Sequence, residues 1–203
     1  MKLMYSPTSP YVRKAMVLAI ERGLDRKIEK VAMTASPITE NKALDKVNPL
    51  AKVPALELDN GMTLFDSPVI CEYLDSKHRG DKVFPASGAR RWKALRQQAI
   101  GDGILDAALL ARYEGFMRPE NLRWPDWAAG QKRKFTQALD LLEKEVKDLS
   151  GGLTIGHITI ACALGYLDFR FGDMGWRTGR PKLAAWYDKF ARRKSMQATI
   201  PPT

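Results

Sequence analysis

The spacing of apolar and polar residues changes several times within the first 80 positions. Residues 2–5 form a short β-prone run. Within residues 10–22, apolar side chains recur at intervals of three and four, which predicts an amphipathic helix that Gly23 would end. Residues 28–33 alternate and predict a second strand, whereas the polar stretch 34–48 predicts a loop with some helix.

A hairpin and a further helix complete this first pattern. Residues 53–58 and 62–65 are predicted strands, and the Asn60-Gly61 pair between them is a strong turn signal. A helix then starts at Ser67. The order β-α-β followed by β-β-α matches a thioredoxin-like arrangement, with a mixed sheet and helices on both faces.

Beyond residue 85 the strand signals stop and only helical spacing remains. Residues 155–171 are apolar almost all round, which predicts the buried central helix of a second domain. Three further helical patterns lie within residues 92–110, 135–149 and 183–190.

Length and composition agree with two domains. The chain has 203 residues, of which 45% are hydrophobic, enough for a sizeable core. We therefore expect an α/β thioredoxin-like domain at 1–80, a linker at 81–88 and an all-α domain at 89–203. No apolar run approaches the length of a membrane span, and the first residues lack the long apolar stretch of a signal peptide, so a cytoplasmic location is expected.

The cysteines and histidines do not form a chemical motif. Cys71 and Cys162 each lie in an apolar, helix-like stretch, which favours buried and unreactive thiols. No Cys-x-x-Cys pair or metal-ligand spacing is present, and His78 and His157 are far apart in the sequence. No metal is therefore expected.

The net charge of +10 is concentrated in the second half, where residues 85–203 carry 20 basic and 12 acidic side chains. A basic surface can bind nucleic acid, so a nucleic-acid-associated protein is one hypothesis. The basic clusters are short, however, and none carries an RNA- or DNA-reading motif. Solvated helix faces and the attraction of anionic ligands are the alternatives.

Two Ser-Pro pairs mark helix starts. Ser is preferred at the N-cap and Pro at the first helical position, and both Ser9-Pro10 and Ser67-Pro68 open an apolar-periodic stretch. The free N–H groups and the positive dipole end at such starts suit an anion. Val53-Pro54 lies between the two pairs. If both helix starts converge on it, they form a pocket for a small, anionic, peptide-like ligand.

Ser9 is the first candidate for chemistry in this pocket. Its hydroxyl can donate a hydrogen bond to a ligand thiolate, and with the helix dipole this would lower the pKa of the thiol. The alternative is a plain N-cap serine that stabilises the helix by about 1 kcal/mol. Thr8, Ser6 and Tyr5 offer other hydroxyl groups nearby.

Val53-Pro54 and Asp66-Ser67 are further candidates. A cis Val53-Pro54 bond would aim the N–H and C=O of Val53 at an extended peptide ligand, whereas a trans bond would mean an ordinary strand start. Ser67 can donate to a carboxylate and Asp66 can accept from an ammonium, which suits an α-amino acid head group; a doubled capping signal is the alternative. Lys52 could meet a second carboxylate or be an ordinary surface lysine.

Three segments together resemble the cytosolic glutathione transferase superfamily in its bacterial, serine-type form. Residues 6–14, SPTSPYVRK, are similar to the N-terminal motif of that family. Residues 48–56, NPLAKVPAL, resemble its NPxGKVPxL segment, and residues 65–74, FDSPVICEYL, resemble (E/D)SxxIxxYL. The three occur in the family's order and spacing, and the resemblance continues through residues 154–171, so it covers nearly the whole chain.

The resemblance implies a thioredoxin-like domain that binds glutathione, followed by a helical domain. The activity implied is conjugation of the glutathione thiolate to a hydrophobic electrophile, with glutathione as co-substrate, in detoxification and by a homodimer. The residues implied for glutathione are Ser9 at the sulfur, Val53 at the cysteinyl backbone before a cis Pro54, Asp66 and Ser67 at the γ-glutamyl group, and Lys52 near the glycyl carboxylate.

The electrophile is expected in an apolar site that lies largely in the helical domain. Ordinary packing is the alternative for each candidate taken singly. The candidates, chosen by position only, are Tyr11, Leu109, Arg112, Tyr113 and Phe116.

The chain departs from the family pattern in two places. Ala51 stands where Gly is common, which is a mild change unless the position requires a positive φ. His157 stands where the family's Ser/Thr-x-x-Asp capping box has its acid; because histidine is not a carboxylate, the sequence puts local capping in doubt.

Other activities within the same family remain open. Serine rather than cysteine at position 9 argues against a glutathione-dependent thiol–disulfide reductase. A glutathione-dependent peroxidase or isomerase is an alternative, because a fold does not fix the reaction. So is a weakly catalytic or non-catalytic glutathione-binding carrier or stress-related protein.

Overall fold

Four short strands form one mixed sheet in the computed structural model, which describes residues 1–202. The strand order in space is β2-β1-β3-β4. β1 pairs in parallel with β2 and antiparallel with β3, and β3 pairs antiparallel with β4. The mixed sheet is the one that the sequence predicts, although its strands are shorter than the polarity pattern indicates. The strands are β1 (Lys2–Tyr5), β2 (Glu29–Ala32), β3 (Ala55–Glu57) and β4 (Thr63–Leu64).

The register of these strands brings the ends of three strands together. Met4 lies opposite Ala55, and Leu56 lies opposite Leu64. In antiparallel pairs the end of one strand adjoins the start of the next. β1 and β4 therefore end at the same sheet edge at which β3 begins, and we call this the Tyr5 edge.

Two helices start beside the Tyr5 edge. α1 (Pro10–Glu21) follows β1, α2 (Lys42–Val47) precedes β3, and α3 (Ser67–Ser76) follows β4. α1 and α3 pack against each other. α1 ends where the sequence predicts, with Gly23 in the left-handed region at φ +65°. The N-terminal ends of α1 and α3 are thus held at one edge of one sheet.

The second half of the chain is helical, as expected. Its helices are α4 (Gly88–Phe116), α5 (Pro125–Lys144), α6 (Ile155–Arg170) and α7 (Pro181–Ala191). α6 is buried along nearly its whole length, which confirms the predicted central helix. Among residues 1–202, no helix has the length and the apolar character needed to cross a membrane.

The chain divides into two compact units. The sheet unit contains Met1–Ala86 and the final segment from Lys194 onward, and the helical unit contains Ser87–Arg193. The sequence places all of residues 89–203 in the all-α domain, whereas the structure groups the final segment with the sheet. The domain limits at 80 and 88 stay a prediction.

Contacts with α1 explain the position of the final segment. It begins with α8 (Lys194–Gln197), which packs on α1. The buried Arg13 donates to the carbonyl of Met196 at 3.2 Å, and Ser195 donates to Glu21 at 2.5 Å. These bonds join residues more than 170 positions apart, so local periodicity carries no trace of them.

Close packing of α4 on α6 depends on glycine. A Cβ atom added at Gly156 would lie 2.4 Å from the Cβ of Gln97 and 2.9 Å from the carbonyl oxygen of Ala94. A Cβ at Gly101 would lie 2.8 Å from the Cγ2 of Thr159. Since these distances are below van der Waals contact, larger residues would push the two helices apart.

We predict that Gly156→Ala destabilises the protein by about 2 kcal/mol through this overpacking. Gly103→Ala is the matched control, because Gly103 lies inside α4 with no atom within 4 Å of an added Cβ. It should stabilise by about 0.5–1 kcal/mol, as alanine does in an open helical position. Urea unfolding of both variants checks the pair; equal effects would contradict the close-packing argument.

His157 caps α6 in a way that the sequence did not suggest. Its Nδ1 accepts a hydrogen bond from the backbone N–H of Thr154 at 3.2 Å. Burial, and next the charges of Lys93, Arg193 and Arg90, lower the pKa of His157 to about 4. A neutral imidazole can accept through Nδ1, so histidine replaces the missing carboxylate and the doubt about capping was wrong.

This capping histidine makes stability depend on pH. The unfolded chain protonates His157 near pH 6.5, whereas the folded protein does so only near its pKa of about 4. The unfolded state therefore binds more protons between these values, and stability falls as pH falls from 6.5 to 4, by about 3 kcal/mol. His157→Gln keeps an acceptor without titrating. The difference in unfolding free energy between wild type and this variant should shrink across that range; a constant difference would contradict the assignment.

Candidate functional site

Ser9 occupies the N-cap of α1. Its side-chain oxygen accepts from the backbone N–H of Val12 at 3.3 Å, with Pro10 at the first helical position. The residue is half-buried. A hydroxyl that accepts one hydrogen bond still has its proton to donate. Ser9 is therefore an N-cap, as one sequence alternative held, and it retains a donor at the positive end of the helix.

The neighbouring hydroxyl groups are engaged differently. The side-chain oxygens of Ser6 and Thr8 lie 3.4 Å apart, within hydrogen-bond distance of each other. Tyr5 is the last residue of β1, and the ammonium of Lys30 lies over its ring at 5.2 Å from the centroid. Of the four hydroxyl candidates, Ser9 is the one seated at a helix start.

Asn48 fixes the loop that leads to Val53-Pro54. Its side chain is fully buried, donates to the carbonyl of Lys52 at 2.8 Å and accepts from the N–H of Leu50 at 3.0 Å. Its own carbonyl accepts from the N–H of Ala51 at 2.9 Å. Asn48 lies in the NPLAKVPAL segment, but no role for it was predicted; an Asn before Pro at a turn is the signal that could have found it.

The main chain of Val53 is positioned but unpaired. The Val53-Pro54 bond is cis, which settles the alternative left open by the sequence. The side chain of Val53 packs on the core cluster of Met4, Leu44 and Ala55. Within residues 1–202 its backbone N–H and C=O make no hydrogen bond. Two backbone groups are therefore open to pairing beside the start of β3.

α3 starts at Ser67, as predicted, but its N-cap differs by one residue from the prediction. The helix begins at Ser67, so the N-cap is Asp66 rather than Ser67, and the Asp66 side chain does not cap it. Pro68 has no N–H, and the N–H of Ile70 donates to the carbonyl of Asp66 at 3.0 Å. In the described chain, the N–H groups of Ser67 and Val69 are thus the two unpaired donors of the first turn.

These residues have distinct environments. Asp66 and Lys52 are exposed, Ser67 is buried, and Val53 is half-buried. The start of α1, the Val53 main chain and the start of α3 all lie at the Tyr5 edge. Such an arrangement can bind an anion at two helix starts, pair with a peptide backbone, and hold an ammonium at Asp66.

The five residues predicted for the electrophile divide between the two units. Tyr11 lies on α1, half-buried. The other four lie on α4, where their spacing puts them on one face. Leu109, Arg112 and Tyr113 are half-buried, whereas Phe116 is exposed and lies under the guanidinium of Arg112 at 4.6 Å. Their contact with an electrophile stays a prediction.

Ala51 adopts a positive φ, the backbone conformation in which an alanine is costly. Its φ is +53°, and it is the one non-glycine residue of the described chain with a positive φ. A side chain in the left-handed region costs roughly 1–2 kcal/mol. The departure from the glycine of the family motif is therefore a strained position beside Lys52 and Val53.

We predict that Ala51→Gly stabilises the protein by about 1 kcal/mol, because glycine adopts a positive φ without strain. Ala86→Gly is the control, since Ala86 is exposed in a loop and its φ is not positive. There, added chain freedom in the unfolded state should lower stability by a few tenths of a kcal/mol. Thermal unfolding distinguishes the two; a loss of stability in Ala51→Gly would contradict the strain.

Comparison with known proteins shows which family the chain resembles. A family model described as "Glutathione S-transferase, N-terminal domain" matches residues 8–77, and one described as "Glutathione S-transferase, C-terminal domain" matches residues 125–189. The uncharacterized GST-like protein YibF of Escherichia coli K12 is 33% identical over 100% of this chain and 99% of its own length.

Solved structures are similar over the whole chain. A glutathione transferase family member from Pseudomonas fluorescens Pf-5 with bound glutathione is 46% identical, with a TM-score of 0.98 over 100% of this chain and 99% of its own. A second structure described in the same words, with bound S-(propanoic acid)-glutathione, is 46% identical, with a TM-score of 0.93 over all of both chains. The chain belongs to the glutathione transferase superfamily.

Proposed function

We propose that this protein is a glutathione transferase that joins the thiolate of glutathione to a hydrophobic electrophile. The observation that carries the proposal is the unpaired main chain of Val53 at the Tyr5 edge, beside the starts of α1 and α3. A peptide whose backbone pairs with Val53 would extend between two helix N-termini. Glutathione is such a peptide, with an anion at each end and a thiol in its middle.

The polar groups at this edge match the rest of glutathione. The unpaired N–H groups of Ser67 and Val69 suit the α-carboxylate of the γ-glutamyl unit, and the exposed Asp66 suits its ammonium. Lys52, also exposed, suits the glycyl carboxylate. Pro54, the residue directly after Val53, completes the set together with Ser9. We assign these residues to glutathione binding.

Solved structures of relatives support glutathione as the ligand. The Pseudomonas fluorescens protein at 46% identity holds glutathione in one structure and an S-substituted glutathione in the other. A glutathione transferase from Methylobacillus flagellatus KT, 32% identical with a TM-score of 0.91 over 99% of both chains, also has glutathione bound. An S-substituted glutathione has the thioether bond that a conjugation forms, so its binding by a relative is consistent with the proposed reaction.

Ser9 would activate the thiol. A free thiol near pKa 8.5 is mostly protonated at neutral pH, and the thiolate is the nucleophile. The Ser9 hydroxyl would donate to the thiolate while the α1 N-terminus adds its positive dipole. The thiol proton passes to solvent, the thiolate attacks the electrophilic carbon, a C–S bond forms and the leaving group departs with its electron pair. Holding the electrophile close supplies the remaining acceleration.

We predict that Ser9→Ala lowers kcat/KM about 100-fold, as loss of one donor to a reacting anion commonly does. It should also raise the thiol pKa of bound glutathione, measured by ultraviolet titration of the thiolate. Because Ser9 caps α1, the variant should lose about 1 kcal/mol of stability as well.

Ser9→Thr is the control for this experiment, since threonine keeps both the hydroxyl and the cap. It should stay near wild type in thiol pKa. If wild-type protein binds glutathione without shifting its thiol, the carrier alternative is correct. If Ser9→Ala titrates like wild type, another hydroxyl faces the sulfur.

The remaining features are proposed by analogy with the family. We propose a homodimer with a cytoplasmic location and a role in detoxification. Tyr11, Leu109, Arg112, Tyr113 and Phe116 are proposed to contact the electrophile. Sedimentation at micromolar concentration tests the dimer.

A further inference from the structure

Two half-buried arginines of the helical unit lack the ion pairs that several other arginines of this unit make. Arg96 makes a bidentate pair with Glu145, at 2.7 and 3.0 Å, and Arg180 pairs with Asp140 at 2.6 Å. Arg112 and Arg170, in contrast, make no ion pair or hydrogen bond with any residue of the described chain. Both are half-buried. Half-buried cations without a counter-charge are costly, so their arrangement calls for an explanation.

Each of the two guanidinium groups lies on an aromatic ring. Arg112 lies over Phe116 at 4.6 Å, and Arg170 lies over Phe169 at 3.6 Å from the ring centroid. Stacking holds the planar guanidinium in place while leaving its N–H edge available. Both groups are therefore oriented before any ligand arrives.

The two arginines share one environment with two tyrosines. Tyr166 and Arg170 are four residues apart on α6, which packs against α4, the helix that carries Arg112 and Tyr113. Burial, and next the charge of Arg112, lower the pKa of Arg170. Burial raises the pKa of Tyr166 to about 12, although the charges of Arg112 and Arg170 oppose the rise. Gly156 lies against Gln97, and Gly101 lies against Thr159, so α4 and α6 run in the same direction. This register places Arg112 and Arg170 at the same level of the packed pair.

The carboxylates nearest in sequence are committed elsewhere. Glu114 accepts from Arg118 at 2.8 Å and from the N–H of Trp124 at 2.7 Å. Asp168 accepts from Trp176 at 2.7 Å and pairs with Arg177. Neither is available to neutralise Arg112 or Arg170. The described contacts therefore give Arg112 and Arg170 aromatic and phenolic neighbours but no carboxylate partner.

We propose that Arg112 and Arg170 form a carboxylate site for the second substrate, with Tyr113 and Tyr166 as neighbouring donors. This inference rests on the proposed function and narrows it: the preferred electrophile has an apolar body and a carboxylate. An arginine pair binds a carboxylate through charge-assisted hydrogen bonds, and binding supplies the missing counter-charge.

A matched pair of electrophiles tests the site. 4-Chloro-3-nitrobenzoate and 4-chloro-3-nitrobenzamide react with glutathione in the same way, since sulfur bonds to the ring carbon and chloride leaves with its electron pair. Each kcat/KM is divided by the uncatalysed rate, which removes the difference in intrinsic reactivity. Wild type should favour the benzoate, and Arg170→Gln and Arg112→Gln should each reduce that preference about 10-fold. Arg133→Gln removes an exposed charge from α5 and should leave the preference unchanged.

Direct binding separates this proposal from the proposed function. Titration calorimetry with 3-nitrobenzoate and 3-nitrobenzamide needs neither glutathione nor turnover. Tighter binding of the benzoate that is lost in Arg170→Gln supports the site even if no conjugation occurs, in which case the transferase proposal falls alone. Equal binding of both compounds overturns the carboxylate site. Displacement of the benzoate by inorganic phosphate at similar concentration would show a general anion site and overturn the assignment to substrate.

Discussion

The pairing of β3 with its two neighbours is the constraint on which the candidate site depends. Because Met4 lies opposite Ala55 and Leu56 opposite Leu64, the ends of β1 and β4 meet the beginning of β3. Ser9, Val53 and Ser67 lie in three separate segments of the chain. Only this register brings the three segments to the same edge of the sheet. A slip by one residue would reverse the faces of β3, and would turn Leu56 out of the core.

The segment before β3 is fixed by contacts within the protein itself. Asn48 uses both ends of its amide to hold Leu50 and Lys52, while Ala51 accepts a strained φ. The outcome is that the backbone of Val53 arrives at the sheet with its hydrogen-bonding groups unpaired. Strain of this kind persists where surrounding contacts over-determine the backbone.

Electrostatics distinguishes the two units. At the Tyr5 edge the positive character comes from helix N-termini, which act without formal charge. In the helical unit it comes from Arg112 and Arg170, which lack a described counter-charge. The net charge of +10 is mostly in the second half, where Arg96, Arg118 and Arg180 are paired with carboxylates. Arg112 and Arg170 differ from these three because they are half-buried and have no such partner.

The sequence predicted what short-range rules control. The element order, the N-cap at Ser9, the end of α1 at Gly23 and the buried α6 follow from periodicity and capping. The start of α3 at Ser67 follows as well, but its N-cap was off by one residue, since Asp66 takes that position before the buried Ser67.

Short-range rules could not predict the long-range contacts or the protonation state of a buried histidine. The bond from Arg13 to Met196 spans most of the chain, and it places the final segment with the sheet. His157 caps α6 because burial keeps it neutral, which a residue type alone does not reveal. Arg112 was predicted as an electrophile contact from its position in the sequence. Arg170 was not predicted, because its nearness to Arg112 depends on the packing of α4 against α6.

Backbone amide hydrogen exchange, with and without glutathione, tests the central claim most directly. If glutathione pairs with the Tyr5 edge, exchange at the N–H groups of Val53, Ser67 and Val69 should slow markedly on binding, while amides of α5 keep their rates. Glutathione that binds while these three amides exchange as before would contradict the account, because the ligand would then occupy another surface.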